Sequence, residues 1–328
     1  MKNTCILILC ILSIITASIS FGADTNKTYT NPVYNHDFPD PFVLEYHHKF
    51  YAYATESGPH GFQVIESKDL IHWNNHGLAF TPPWSTVHLW APEVMHYRGK
   101  FYMVYSARNP KTGKHDIGIA MASNPRGPFI QKAILASGDA NRVGVIDADL
   151  FIDKDKSPYL LYSAEEPRMI MLQKLSKNLM EADGEAVMLI KPDQPWEHGV
   201  TEAPTMVYRK GIYHLFFSGG SFQGDRSHSF YAVYHAESKD INGPYVKSPR
   251  PLLATVPEKV YSPGHQCVIR LGKDNWWMLY HGWNNSGEPV YGSNPIGRSL
   301  RIDRILWKDN EPYMAGATTD PQPAPVIP

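Results

Sequence analysis

The chain has 328 residues, room for one large domain or two modest ones. Hydrophobic residues make up 43% and aromatic residues 12%, with 8 Trp and 19 Tyr, so an ordinary core is unusually rich in rings. A formal net charge of −1 provides no basic field to draw nucleic acid or an anionic membrane, and neither is expected as a partner.

Residues 1–22 read as a secretory signal peptide. Lys2 gives a basic start, Cys5 to Ile15 is almost all apolar, and Ala17-Ser18-Ile19-Ser20-Phe21-Gly22-Ala23 offers small residues for cleavage. The apolar run is short for a membrane span, and no later run approaches it. A secreted or periplasmic protein is expected. Cleavage would take Cys5 and Cys10, leaving Cys267 alone and no internal disulfide. Residues 23–328 are expected to form one domain with an ordered core from about 31 to 316. Residues 24–30 read as a polar, flexible lead, and the proline-rich tail Thr318 to Pro328 as a strap over the surface.

The first informative stretch is Phe38-Pro39-Asp40-Pro41-Phe42. Each proline fixes its own backbone and biases the residue before it toward extended geometry. Asp40 is thus held stiffly at a strand entrance. That suits a reactive carboxylate and equally a strand-starting aspartate that satisfies nearby N–H groups.

From Asn31 on, the chain repeats itself. Aromatic-rich strands are predicted around Tyr51, Tyr102, Tyr159, Tyr213 and Trp277, at spacings of 51, 57, 54 and 64 residues. Each follows a short apolar strand and a tight turn, such as Arg98-Gly99 or Arg209-Lys210-Gly211. A third strand shows its own echo, Ile119 to Ser123 running into Gly127-Pro128-Phe129 and Ala232 to Ala236 into Gly243-Pro244-Tyr245. Multi-stranded repeats of this length predict an all-β, five-bladed β-propeller of four-stranded antiparallel blades.

Counting back 11 or 12 residues from the anchor rings gives Asp40, Asp147, Glu202 and His265, while in the second repeat the slot falls on Trp90-Ala91, with Pro92-Glu93 just after. The reading is that three of five blades place a carboxylate at one structural position. First strands line a propeller's channel, so these residues converge on one face. The loops after the aromatic strands rim the same face, and those at Gly219 to His228 and Trp283 to Pro295 are long and rich in Gly, Ser and Asn. Trp84, Trp90, Phe222, Trp283 and Tyr291 could offer flat faces to sugar rings. Three converging carboxylates suit glycoside hydrolysis, in which one carboxylic acid protonates the leaving oxygen and one carboxylate acts opposite. No zinc, P-loop, dinucleotide or nucleophile-elbow motif competes with this reading.

The motifs Asn31-Pro32, Phe38-Pro39-Asp40-Pro41, Trp90-Ala91-Pro92-Glu93-Val94, Ile146-Asp147, Thr201-Glu202-Ala203-Pro204, Ser262-Pro263-Gly264-His265 and Gly297-Arg298 together resemble glycoside hydrolase family 43, from Asn31 to about Trp307. The resemblance implies an inverting hydrolase with Asp40 as general base and Glu202 as general acid. It implies that Asp147 orients Glu202 and raises its pKa, and that Arg298 contacts substrate. It also suggests His265 as a substrate contact and as a residue associated with a structural calcium near the channel centre, no cofactor being required for the chemistry. The expected activity is α-L-arabinofuranosidase, on arabinose- or xylose-containing oligo- or polysaccharide. β-Xylosidase, endo-1,5-α-L-arabinanase and a non-catalytic sugar-binding propeller are the alternatives. The chain departs from the pattern at Ala203, where many relatives have Gly, and at Ala148, where many have Pro.

Overall fold

The first two strands of each repeat are joined by turns of two or five residues, too short for anything but local antiparallel pairing, so each repeat becomes a meander. The computed structural model describes residues 27–57, 60–85, 87–138, 144–165, 168–220, 230–284 and 297–328. The expected signal peptide lies outside them. Five four-stranded antiparallel sheets follow in chain order as the blades of a propeller. Blade one is Phe42–Tyr46, Lys49–Ala54, Phe62–Ser67 and Trp73–Phe80; blade two is Leu89–Tyr97, Lys100–Arg108, His115–Ala122 and Ile130–Ser137. Blade three is Val145–Ile152, Pro158–Ala164, Met169–Lys174 and Val187–Ile190. Blade four is Thr201–Arg209, Ile212–Gly219, Ala232–Ser238 and Val246–Lys247; blade five is Val260–Arg270, Trp276–Asn284, Arg298–Lys308 and Glu311–Tyr313. Among the described residues the helical content is one short 3₁₀ turn, Pro195–Glu197, and no helix is long and apolar enough to cross a membrane.

The core lies between blades. Phe50, Ile65 and Ala52 of blade one pack on Cys267, Leu279 and Ile302 of blade five. Tyr53, Phe62 and Phe80 pack on Phe101, Met103 and Tyr105 of blade two. Each such ring contributes about 1.5–3 kcal/mol by burial. Contacts of this kind at every junction make the ring of blades one cooperative unit.

The two ends close that ring. Thr28–Tyr29 pairs antiparallel with Gln322–Pro323. Tyr29 is buried and its Oη donates to the Ile302 carbonyl at 2.8 Å. The Asn31 side-chain amide donates to the same carbonyl and its oxygen accepts from Ile302 N–H. Residues 28–30 are therefore not a free lead. Polar composition concealed one buried ring and one amide that can satisfy both sides of a neighbouring peptide.

A repeated irregularity marks the inner strands. Register skips between Trp90 and Glu93, Ile146 and Asp149, Glu202 and Thr205, and Gly264 and Cys267 are β-bulges in blades two to five. At these bulges, and at the matching point before blade one, Asp40, Ala91, Asp147, Ala203 and His265 have φ values of 53°, 46°, 56°, 52° and 49°. A left-handed non-glycine residue costs about 1–2 kcal/mol, and it persists only where its surroundings impose it. Here each bulge N–H finds a side-chain acceptor, usually on the preceding blade's second strand. Thr55 Oγ1 accepts from Ala91, Ser106 Oγ from Asp147, Ser218 Oγ from His265, and His281 Nδ1 from Asp40. The Ala203 N–H donates instead to Asp147 Oδ2, and Ser163 Oγ is buried without a partner among the described residues.

This register corrects the sequence reading. Glu202 pairs with Ser218 and precedes the bulge, so the shared position in blade four belongs to Ala203. The count slipped because the residue of blade four equivalent to Tyr51, Tyr102, Tyr159 and Trp277 is His214, one beyond Tyr213. Two blades, not three, carry a carboxylate at the shared position, and Glu202 enters the site from the neighbouring one. Ala203 also shows why glycine is favoured there: a left-handed φ costs glycine nothing.

Candidate active site

The bulges turn the inner-strand openings toward one another, and the carboxylates meet there. Asp40 Oδ1 accepts from Arg298 Nη1 at 2.9 Å, with His281 Nδ1 at 3.2 Å and His265 Nδ1 at 3.4 Å. Thr55 Oγ1 donates to the other oxygen, Oδ2, at 2.5 Å. Burial alone would raise the Asp40 pKa, but the Arg298 guanidinium, with smaller contributions from His265 and His281, holds the group well below the usual carboxylate range. The imidazoles contribute little charge of their own. Burial lowers the pKa of His265, and that of His281 to about 4, so Arg298 is the cation that keeps Asp40 ionised. Replacing Arg298 with Met removes that cation, so Asp40 must titrate at higher pH. The acid limb of the kcat/KM profile is expected to move upward in Arg298→Met; an unmoved limb would separate Arg298 from the ionisation of Asp40.

Glu202 is buried and makes two close contacts. Its Oε1 accepts from Tyr231 Oη at 2.7 Å, and its Oε2 pairs with Arg168. Tyr231 can lie so close because Gly264 leaves room. A Cβ at Gly264 would stand 2.1 Å from the tyrosine ring. Gly264→Ala is therefore expected to push Tyr231 off Glu202 and lower kcat at least tenfold with a smaller change in Tm. Wild-type kcat in a folded Gly264→Ala protein would show that Glu202 does not depend on Tyr231.

Asp147 lies between the other two. Its pKa is raised well above the usual value by burial first, then by the charges of Glu202 and Asp40, against the opposing pull of Arg168 and the Ala203 N–H. The upward push thus falls on Asp147 itself. Deeper in the channel, burial raises Glu93 well above its ordinary value, with neighbouring Asp149 and Asp147 adding to it, and burial likewise lifts Asp149 to about 6. The channel therefore favours the neutral form of Asp147, Glu93 and Asp149, and the ionised form of Asp40, where the Arg298 guanidinium stands.

The remaining candidates separate. Trp283 pairs across the sheet with Arg298, which places it on the hairpin that delivers Arg298 to Asp40. Trp90 is half-buried, with its ring stacked on His115 at 4.1 Å. Phe222 lies outside the described residues, as do Tyr291 and parts of the two long rim loops. His265 faces a carboxylate already matched by Arg298. This donor set does not fit calcium, which takes about six to eight oxygen ligands. Sequence reasoning missed Thr55, Arg168, Tyr231 and His281 as partners of the carboxylates. Thr55, Ser106, Ser163 and His281 all fall four residues after an anchor ring, and that recurrence was a usable signal.

Comparison with known proteins adds three findings. The profile of "Glycosyl hydrolases family 43" matches residues 29–312. Among curated proteins, the extracellular endo-alpha-(1->5)-L-arabinanase 1 of Bacillus subtilis (strain 168) is 28% identical over 250 residues, covering 72% of this chain and 73% of that protein. A non-reducing end alpha-L-arabinofuranosidase of Bacteroides ovatus is 26% identical, covering 94% of this chain and 56% of its own length. The chain spans little more than half of that relative and of a beta-xylosidase from Bacillus subtilis, 57% of which is covered. Among solved structures, a thermostable family-43 glycoside hydrolase superposes with a TM-score of 0.80 at 32% identity, covering 91% of this chain and 99% of that one.

Proposed function

We infer the function from one premise: this chain belongs to glycosyl hydrolase family 43, a family of inverting glycosidases. The proposed reaction is a single displacement at an anomeric carbon, with Asp40 as general base and Glu202 as general acid. The observation that carries this reading is the convergence of Asp40, Asp147 and Glu202 in one buried site, where both of the others push Asp147 upward. Asp40, kept ionised by Arg298, would take the proton of a water as its oxygen attacks. Glu202 would give a proton to the departing glycosidic oxygen, guided by Tyr231 and Arg168. Asp147 would orient Glu202, and because the two carboxyls repel when both are charged, the proton held between them would be delivered through Glu202. Arg298 would also contact the sugar in the −1 position. Trp90 and Trp283 would supply flat walls, with Phe222 on the rim.

The substrate proposed is an α-L-arabinofuranosyl side chain of plant-wall polysaccharide, removed from the non-reducing end by a secreted enzyme. An arabinofuranosidase relative that matches 94% of the chain supports the sugar, and an arabinanase relative named as extracellular supports export. That arabinanase also keeps endo action on linear arabinan as a second reading. Aryl arabinofuranoside, aryl xyloside and linear arabinan, assayed side by side, test the choice. Fastest turnover of the arabinofuranoside, with arabinose as sole product, is expected; oligosaccharide release from arabinan would favour the second reading. NMR of the first-formed sugar should show the inverted anomer, and retention would overturn the single displacement.

A further inference from the structure

Blade four carries a second group of titratable side chains away from the carboxylates. Glu202 pairs with Ser218 at one end of the hairpin, whereas His214 pairs with Val207 further down it. His214 also pairs across the next ladder with Glu237, and His235 with Phe216. Side chains two apart on a strand share a face, as do direct cross-strand partners. His214, His235 and Glu237 therefore project together toward blade five, where Trp307 packs edge-on against His214 at 4.9 Å.

His214 occupies the position held in the other four blades by Tyr51, Tyr102, Tyr159 and Trp277. A histidine here is an imidazole in a slot otherwise filled by a larger ring, and it faces a second buried imidazole. His214 Nδ1 stands 3.0 Å from His235 Nε2 and 4.0 Å from Glu237 Oε2, and the three atoms all lie within 4.8 Å of one another. The two imidazoles are buried, while the Glu237 side chain is 40% exposed and leaves an approach from solvent.

The charges around the group favour a cation. Both rings are buried against each other, and a neutral imidazole keeps a lone pair on one ring nitrogen. Glu311 lies near enough to Glu237 to repel it, so two carboxylates crowd this edge. The charge of Arg209 is already matched by Asp274 at 3.0 Å, and its guanidinium lies over Trp307. A simple hydrogen bond between two histidines accounts for the pair alone. It gives no reason for a carboxylate beside them, held against the repulsion of another.

We propose that His214, His235 and Glu237 bind a divalent first-row transition metal ion, zinc by preference, that clips two strands of blade four beside the outer edge of blade five. Two imidazole nitrogens and one carboxylate oxygen suit such ions, whereas calcium prefers an all-oxygen set. The role is structural, and the ion takes no part in hydrolysis.

The test uses tag-free protein stripped with a chelator and titrated with zinc chloride by calorimetry, alongside competition with a chromogenic chelator. One saturable zinc per chain at micromolar affinity or tighter is expected, with only nitrogen and oxygen neighbours in X-ray absorption. Zinc should raise Tm by several degrees at a hundredfold excess over Kd. Glu237→Gln should weaken binding at least tenfold, and His235→Ala should abolish it together with the Tm rise. If His235→Ala fails to fold, Glu237→Gln decides alone, because its side chain is partly in solvent. No saturable zinc, or unchanged affinity in Glu237→Gln, overturns the proposal. Glycosidase turnover is expected to be the same with and without zinc, so the outcome is independent of the roles given to Asp40 and Glu202.

Discussion

Glu202→Gln is expected to cut turnover of an unactivated arabinofuranoside by roughly 100- to 10,000-fold, the range of general acid catalysis. Gln has nearly the same shape, its carbonyl oxygen can stand at the Oε2 position and accept from Arg168, and its amide N–H can donate to Tyr231 Oη, so the fold should survive. It cannot give a proton to the leaving oxygen. The discriminating readout is the leaving group. A nitrophenyl ether departs as a weakly basic phenolate and needs little protonation, so much of the lost rate should return on that substrate. Equal losses on activated and unactivated substrates would show that Glu202 does not act as the acid, and near-wild-type rates on both would remove it from the reaction.

Asp40→Asn is expected to be as severe, roughly 100- to 10,000-fold, and to remain so on activated substrates, because water activation is needed whatever the leaving group. The variant keeps the shape of a residue held by Arg298, Thr55 and the N–H contact to His281. It also removes one of the charges that push Asp147 upward. Asp147 should then ionise at lower pH than in the wild type, readable by carboxyl NMR or infrared titration. Recovery of Asp40→Asn on nitrophenyl substrates would contradict the base assignment. An unmoved Asp147 titration would mean that the two carboxyls lie too far apart to share a site.

Much of this was legible before any coordinates. The repeat period fixes five blades because a meander of four strands cannot bury its faces alone, so only a ring of such units makes a core. Proline flanks identified Asp40 as rigid, the repeat brought out Asp147 and Glu202 beside it, and the resemblance implied their roles. The register of blade four was not legible. Tyr213 and His214 are both rings, and a strand pattern cannot tell which one is the counterpart of Tyr51 when a bulge has already broken the alternation. The partners of the carboxylates were hidden for another reason. Arg168, Tyr231 and His281 come from three separate blade segments and acquire meaning only through distances across the channel. Arg298 stands 258 residues from Asp40 in the chain.

That separation governs when the protein can become active. Asp40 is synthesised long before the cation that keeps it ionised and the imidazole that receives its N–H. A nascent chain of four blades would hold the proposed acid, Glu202, yet lack the guanidinium that keeps the proposed base ionised. Folding must bring the first and last blades together, a slow search because the contacts are so far apart in sequence. The junction of the first and fifth blades is thus also the one on which the proposed hydrolysis would depend. The appearance of activity during refolding should lag the gain of sheet structure and coincide with burial of Tyr29.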